Sequence, residues 1–357
     1  MNLKINDRIN VRNIEYFNSF NLSLKYDSVA STFGFNFYFD PLNRDHAELA
    51  CVSHFHEAIV EHNGEKLIHG YILSQAFNVS SKKELVQFAG YSLPGVLEDC
   101  QIPTSLYPLQ SDGLSLYDIA KKYTAPFGLK IIVDPEVSSR MNVSYETTTA
   151  EPSQSIKDYL TQLAIQHDIV ISHNSDGNLL FTKAKANMEP ILRFADGLIG
   201  TSMSMSFSGQ GLHSEITVVR QADSDGGNSG EYTILNPYVP IVYRPKVIVQ
   251  TSRDQDDVSI EQAAKNALAA ELKNIQLKIT IDRWDIDGKI IRPNNVISVL
   301  NPDLFIYKES KFFIEQVDYV GNSKETTAVL TCVPVEAYNS KEPKNIFVDA
   351  HQNLPRI

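Results

Sequence analysis

The sequence predicts a mainly β fold with α+β modules, and three observations carry that prediction. Near both ends of the chain, apolar residues alternate with polar ones over short stretches separated by turn residues. That is the two-residue period of strands with one buried face. Helical spacing behind capping residues is confined to the middle and to one stretch near 259–274. The length of 357 residues exceeds what one core of ordinary size serves. The expected division is a first β domain over 1–92, an α+β module over 93–186, a second β domain over 187–336, and an extended C-terminal tail over 337–357.

In chain order, Phe33, Phe35, Phe37 and Phe39 fall on one face of a strand that Asp40-Pro41 ends. Asn63-Gly64 separates Ala58–His62 from Glu65–His69. An Asn-Gly pair accepts the positive φ angles of a type I′ turn, so a hairpin is expected with Ile59 opposite Ile68 and Glu61 opposite Lys66. A polar turn at Ser80–Lys83 precedes a strand over Leu85–Ala89. Ser115 and Asp118 form a capping box for a helix with Leu116, Ile119, Ala120 and Tyr123 inward, ended by Pro126 and Gly128. A strand at Leu129–Val133 and a helix starting at Ser153 or Ser155, with Ile156, Tyr159, Leu160 and Leu163 inward, come next. Strands over Ile169–Ile171 and Leu179–Phe181 flank an Asn174–Gly177 turn. Beyond them Met203, Met205 and Phe207 alternate with serines, Ile216 and Val218 alternate with polar residues, and Asp223–Gly230 has the composition of a loop. Ser259 opens an Ala- and Leu-rich helix, and Leu277–Ile281 returns to strand.

Lys+Arg number 32 against 43 Asp+Glu, a net charge of −11, and no Lys/Arg run is present to build a local basic patch, which argues against a dedicated nucleic-acid binder. No run of 18 apolar residues provides a membrane anchor, and Met1–Arg8 has no secretory leader pattern. A chain folded in a cytoplasm is expected, with Cys51, Cys100 and Cys332 as reduced thiols.

Candidate chemistry is sparse. His54, His56, His62 and His69 are the densest histidine group, and two histidines spaced i, i+2 on a strand could ligate zinc with a third ligand. His56-Glu57…His62 lacks the helical H-E-x-x-H spacing, and ordinary strand histidines are expected. Gly90-Tyr91-Ser92-Leu93-Pro94-Gly95 departs from a nucleophile elbow, because Pro94 stands where the helix would begin. Asp223–Asn228 lacks the fifth and sixth positions of an EF-hand loop. Asp and Glu are too numerous for spacing to single out a glycosidase pair. No catalytic, cofactor-binding or metal-binding residue is assigned, and no cofactor.

The order of segments is more telling. Gly113–Ala120 followed by Pro126–Ile131, then Ser155–Ala164 with Asp176–Leu179, then Trp284 through Arg292-Pro293-Asn294-Asn295, Phe312–Val317 and the closing Leu330-Thr331-Cys332-Val333-Pro334-Val335-Glu336-Ala337-Tyr338 resemble the baseplate hub proteins of contractile phage tails. The group is the Mu-type hub or late control D family, related to the hub part of type VI secretion spike proteins. The resemblance covers about 110–338; the first ~100 residues share only strand character.

It implies two tube-like β-barrel domains with small α+β domains, and a homotrimeric ring adapting a six-fold tail tube to a three-fold spike around a DNA channel. Implied partners are tail tube proteins, a trimeric spike and wedge proteins, without a membrane anchor or specific nucleic-acid binding. Assembly in the host cytoplasm and residence in the virion tail baseplate follow. Lys66–Ile72 with Glu84–Val86 shares a rhythm with Lys311–Val317 and Thr327–Val329, as a duplicated barrel would, and as any two hairpins would. Two other readings remain open at this level. One is a tail-associated peptidoglycan hydrolase acting through His54, His56 and Glu57. The other is a receptor- or carbohydrate-binding tail protein using some of the 16 Tyr and 17 Phe.

Overall fold

The computed structural model describes residues 1–6, 11–40, 42–79, 84–195, 202–220, 230–250, 259–286, 288–322, 325–339 and 341–347. The expected turn at Ser80–Lys83, most of the Asp223–Gly230 loop and the last ten residues lie outside them. The chain forms two compact units: unit 1 is Met1–Lys183 with Asp318–Ala328, and unit 2 is Ala184–Val317 with Val329–Ile357.

Unit 1 begins with β1 (Asn2–Asn6), β2 (Val11–Ile14), β3 (Ser19–Lys25), β4 (Thr32–Tyr38), α1 (Arg44–Leu49), β5 (Glu57–His62), β6 (Glu65–Val79) and β7 (Glu84–Ser92). They are ordered β3-β4-β7-β6-β5-β1-β2, with every pairing antiparallel. The phenylalanine face is as expected, with Phe33, Phe35 and Phe37 buried. The β5–β6 turn places Asn63 and Gly64 at φ 49° and 81°, and Glu61 faces Lys66. Ile59, however, pairs with His69 instead of Ile68, because a bulge slips the register between Val60 and Glu61. Leu67 is the extra residue, and a strict two-residue period cannot register it.

The α+β part of unit 1 carries α2 (Val96–Asp99), α3 (Leu116–Thr124), β8 (Ile131–Val133), α4 (Ser138–Met141), α5 (Ile156–Gln166), β9 (Val170–His173) and β10 (Leu179–Thr182). Its sheet is β8-β10-β9. Ser115 Oγ accepts the Asp118 N–H at the start of α3, and Ser155, not Ser153, does the same for Asp158 at α5. Both helices press their apolar stripes into one core with Ile169, Leu179 and Phe181. Gly128, at φ 66°, closes the 3-10 turn Ala125–Phe127 that follows α3, in the left-handed region that glycine enters without strain.

Unit 2 holds β11 (Leu192–Phe194), β12 (Ser202–Phe207), β13 (Glu215–Arg220), β14 (Gly230–Leu235), β15 (Pro245–Gln250), α6 (Ile260–Leu272), β16 (Ile275–Ile281), β17 (Asp285–Ile286), β18 (Lys289–Ile290), β19 (Val296–Asn301), β20 (Ile306–Asn322), β21 (Thr326–Pro334) and α7 (Glu336–Asn339). The main order is β12-β16-β21-β20-β19-β11, with a separate β14-β13-β15 sheet. The tip of the β20–β21 hairpin, Asp318–Ala328, belongs to unit 1, where β20 is the neighbour of β3.

The expected extended tail from residue 337 begins instead with the single turn α7, and Tyr338 explains the closing motif. Its ring lies 4.4 Å from that of Phe313, its hydroxyl donates to Glu315, and Lys273 sits over its face. Beyond α7 the chain is extended but docked: Tyr238 donates to the Lys344 carbonyl, Asn345 donates to that of Pro237, and Phe347 packs on Phe207 and Tyr238.

The chain is therefore mainly β with an α+β module, as expected. Among the described residues neither strand path returns to its first strand, so no closed barrel is seen there.

Candidate assembly surfaces

The four histidines singled out for chemistry sit on a loop, on β5 and on β6. Residues 51–56 form a loop, not the expected strand, with Ser53 and Phe55 at φ 72° and 43°. His54 and His56 therefore do not share a strand face; their rings meet edge-on with centroids 5.5 Å apart. His54 lies against the Cys51 thiol, while His69 is held between the Glu57 carboxylate and the Asp176 carbonyl. Among the described residues no three His, Cys, Asp or Glu side chains gather as metal ligands.

Ser92 departs from expectation in the other direction. A strand–turn–helix does surround it, because Pro94 fits the single 3-10 turn between β7 and α2, where a missing N–H leaves no bond unmade. Its hydroxyl is nonetheless sealed inside unit 1, donating to the Val29 carbonyl at 2.8 Å and accepting the Ser31 N–H at 3.1 Å. Ser31 in turn meets His173 of β9, Oγ to Nε2, at 2.7 Å. The His173 Nδ1 faces the Asn174 carbonyl, which can only accept. The neutral ring therefore carries its proton on Nδ1 and receives the Ser31 hydroxyl on Nε2. Burial pushes the His173 pKa down to about 4. This network is a buried tie between the β and α+β parts of unit 1, and sequence spacing gave no sign of it, because His173 and Ser31 are 142 positions apart.

The strands carry a clearer pattern. Numbered along the chain, β3, β4, β5, β6 and β7 lie side by side in the order 1-2-5-4-3, and so do β12, β16, β19, β20 and β21. The long hairpins correspond: β6 and β7 have 15 and 9 residues, β20 and β21 have 17 and 9. The shared rhythm in the sequence falls on these two hairpins. The opening strands match too. Ser19-Phe20-Asn21-Leu22-Ser23-Leu24 and Ser202-Met203-Ser204-Met205-Ser206-Phe207 both alternate a small polar with an apolar residue.

A third surface lies on the β14-β13-β15 sheet. α6 covers one face, burying Ile216, Val218, Ile234, Ala264 and Leu268 together. Glu271 of α6, itself buried, accepts from His213 and from Lys246 of β15. Leu235, Val247 and Val249 remain exposed, as do Ile241, Val242 and Tyr243 of the following loop. A groove of about 770 Å³ runs along this loop. Exposed apolar clusters of this kind mark contact surfaces more often than chemistry.

No family model matches the chain, and no curated protein sequence does. The solved structures are informative: the fold is that of phage tail proteins and of a type VI secretion component related to them. A 43 kDa tail protein of prophage MuSo2 from Shewanella oneidensis matches with a TM-score of 0.76 at 18% identity, over 95% of this chain and 99% of that one. The tail protein of Neisseria meningitidis MC58 matches at 0.74 and 18%, over 94% and 97%. The c3393 protein of E. coli, a type VI secretion component described as structurally similar to T4 tail proteins gp27 and gp5, matches at 0.56 and 10%, over 93% and 76%.

Proposed function

We propose that this chain is a structural baseplate hub of a phage tail. Three copies form a ring that adapts a six-fold tail tube to a three-fold spike and frames part of the DNA channel. Its partners are the tube protein, the trimeric spike and the wedge proteins. It assembles in the host cytoplasm and resides in the virion baseplate. The segments 1–92, 93–186, 187–336 and 337–357 serve as its working modules.

The observation that carries this reading is the strand order 1-2-5-4-3 occurring twice in one chain. Three such chains offer six similar sheets to a six-fold neighbour while keeping true three-fold symmetry for a spike. A part that works by interface area and strand registration needs no reactive centre. The net charge of −11 suits a conduit past which phosphates must slide without adhering. The likeness to solved tail proteins supports the reading at the level of fold.

Mass photometry of the purified protein, alone and with a trimeric spike protein, tests it. The expected species has three times the 40.0 kDa chain mass. A strictly monomeric protein in both conditions overturns it.

A further inference from the structure

The two repeats differ at one place that a ring would have to resolve. In the second repeat, the half of β20 beyond the end of its β19 pairing, which reaches Phe313, is covered: β20 has β3 as its neighbour, and Val317 and Tyr319 are fully buried. In the first repeat, β5 covers β6 only as far as Tyr71. The remaining half, Leu73–Val79, has β7 on one side and, among the described residues, no strand on the other. Its apolar side chains show the lack, with Leu73, Phe77 and Val79 exposed to 38%, 40% and 80%.

The strand that would fill this place by analogy with β3 is its equivalent, β12. Among the described residues β12 pairs only with β16 and ends its path. In β3, which is flanked on both sides, Leu22 and Leu24 are buried; in β12 the matching Met205 is only half-buried and the matching Phe207 is 45% exposed, while Phe20 and Met203 are half-buried alike. The same sequence pattern is thus finished in one repeat and unfinished in the other.

The two open edges also fit each other. They are seven and six residues long, Leu73–Val79 and Ser202–Phe207, and neither contains a charged residue or a proline, in a chain that is 21% charged. Exposed edges of monomeric proteins are normally blunted by charge, proline or bulges. β12 pairs with β16 without a bulge, and this half of β6 has only the bulge at Leu73, beyond which Ser74–Val79 keep a regular register with β7; both edges call for cover.

We propose that in the ring Leu73–Val79 of one protomer pairs as a β-strand with Ser202–Phe207 of the next copy, repeating between chains the β20–β3 neighbourhood found in unit 1. The inference rests on the ring reading and names the strands that close it. The contact is head-to-tail, so it propagates from copy to copy and closes after three.

Hydrogen exchange and mass photometry on the full chain test it. Successive strand N–H groups point to opposite edges, so of Gln75→Pro and Ala76→Pro, one removes only an outward N–H and leaves the β7 pairing intact. The same holds for Ser204→Pro and Met205→Pro on β12. We expect the outward-facing variant of each pair to keep the wild-type circular dichroism and to raise the concentration for half-assembly about 100-fold. A change on β6 should also expose the amides of Ser202–Phe207 to exchange, and the reverse. A wild-type trimer in which both segments exchange within seconds, or proline variants of both edges that remain trimeric, overturns this pairing and leaves the ring standing. A strictly monomeric wild type overturns both.

Discussion

The two repeats share a strand order and place their aromatic rings differently. The first clusters them on β4 and its neighbours: Phe35 packs against Phe17, Phe20 and Phe33, and Phe37 meets Phe88 edge-on at 5.0 Å. The second confines its buried rings to β20, with Phe312, Phe313 and Tyr319, and fills its other strands with aliphatic residues such as Ile275, Leu277, Ile279, Val296, Ile297, Val299 and Leu330. They also differ outside the five strands. The first repeat adds β1 antiparallel to β5, the second adds β11 parallel to β19. The second also accommodates the β13–β15 sheet and α6 between its first two strands. Connectivity and the alternation of apolar and polar residues are enough to specify the order. Side-chain identity can drift as long as volume and pattern are kept.

If the repeats are equivalent, emptying either core should cost comparably. Phe35→Ala removes a fully buried ring and should lower stability by about 3–5 kcal/mol, and Leu277→Ala by about 2–5 kcal/mol. Urea unfolding followed by circular dichroism checks both; a loss under about 1 kcal/mol at one site only would show that its repeat is not a packed unit.

Acid should separate the repeats. The His173 pKa falls from 6.5 to about 4 on folding, so between those values the unfolded chain binds a proton that the folded one refuses. Stability is intact above pH 6.5 and falls by about 3 kcal/mol as the pH drops to 4. The strands of the second repeat contain no histidine. Amide protection around Ser31, Ser92 and β9 is therefore expected to weaken first, and His173→Phe to flatten the pH dependence, as seen by exchange at pH 7, 5.5 and 4.

The smallest effect concerns the helices that accompany each repeat. Ser155→Ala and Ser259→Ala each remove a side chain that accepts a first-turn N–H and should cost about 1 kcal/mol. Thermal melts should shift by similar small amounts; a zero shift for Ser259→Ala alone would mark α6 as held entirely by its packing on β13 and β14.

Much of this was legible locally. The phenylalanine face of β4, the Asn63-Gly64 turn, the caps at Ser115 and Ser155 and the helix after Ser259 all depend on neighbours within a few positions, and each lies where its pattern places it. What failed needed distant information. The β5–β6 bulge comes from accommodating Leu67, the 51–56 loop from two left-handed residues, and the α7 turn from the Phe313–Tyr338 contact. The Ser31–Ser92–His173 tie links three segments that no periodicity connects.

By itself the sequence determined which stretches are strands or helices and hinted that one hairpin rhythm occurs twice, because periodicity and turn chemistry act over a handful of bonds. Only the tertiary structure decided that the rhythm marks two copies of one strand order, and that among the described residues each copy has one edge covered and one open, β3 and β6 in the first, β20 and β12 in the second. Strand neighbours are chosen by hydrogen bonds between segments far apart in the chain, and a sequence read alone does not say which edge meets which.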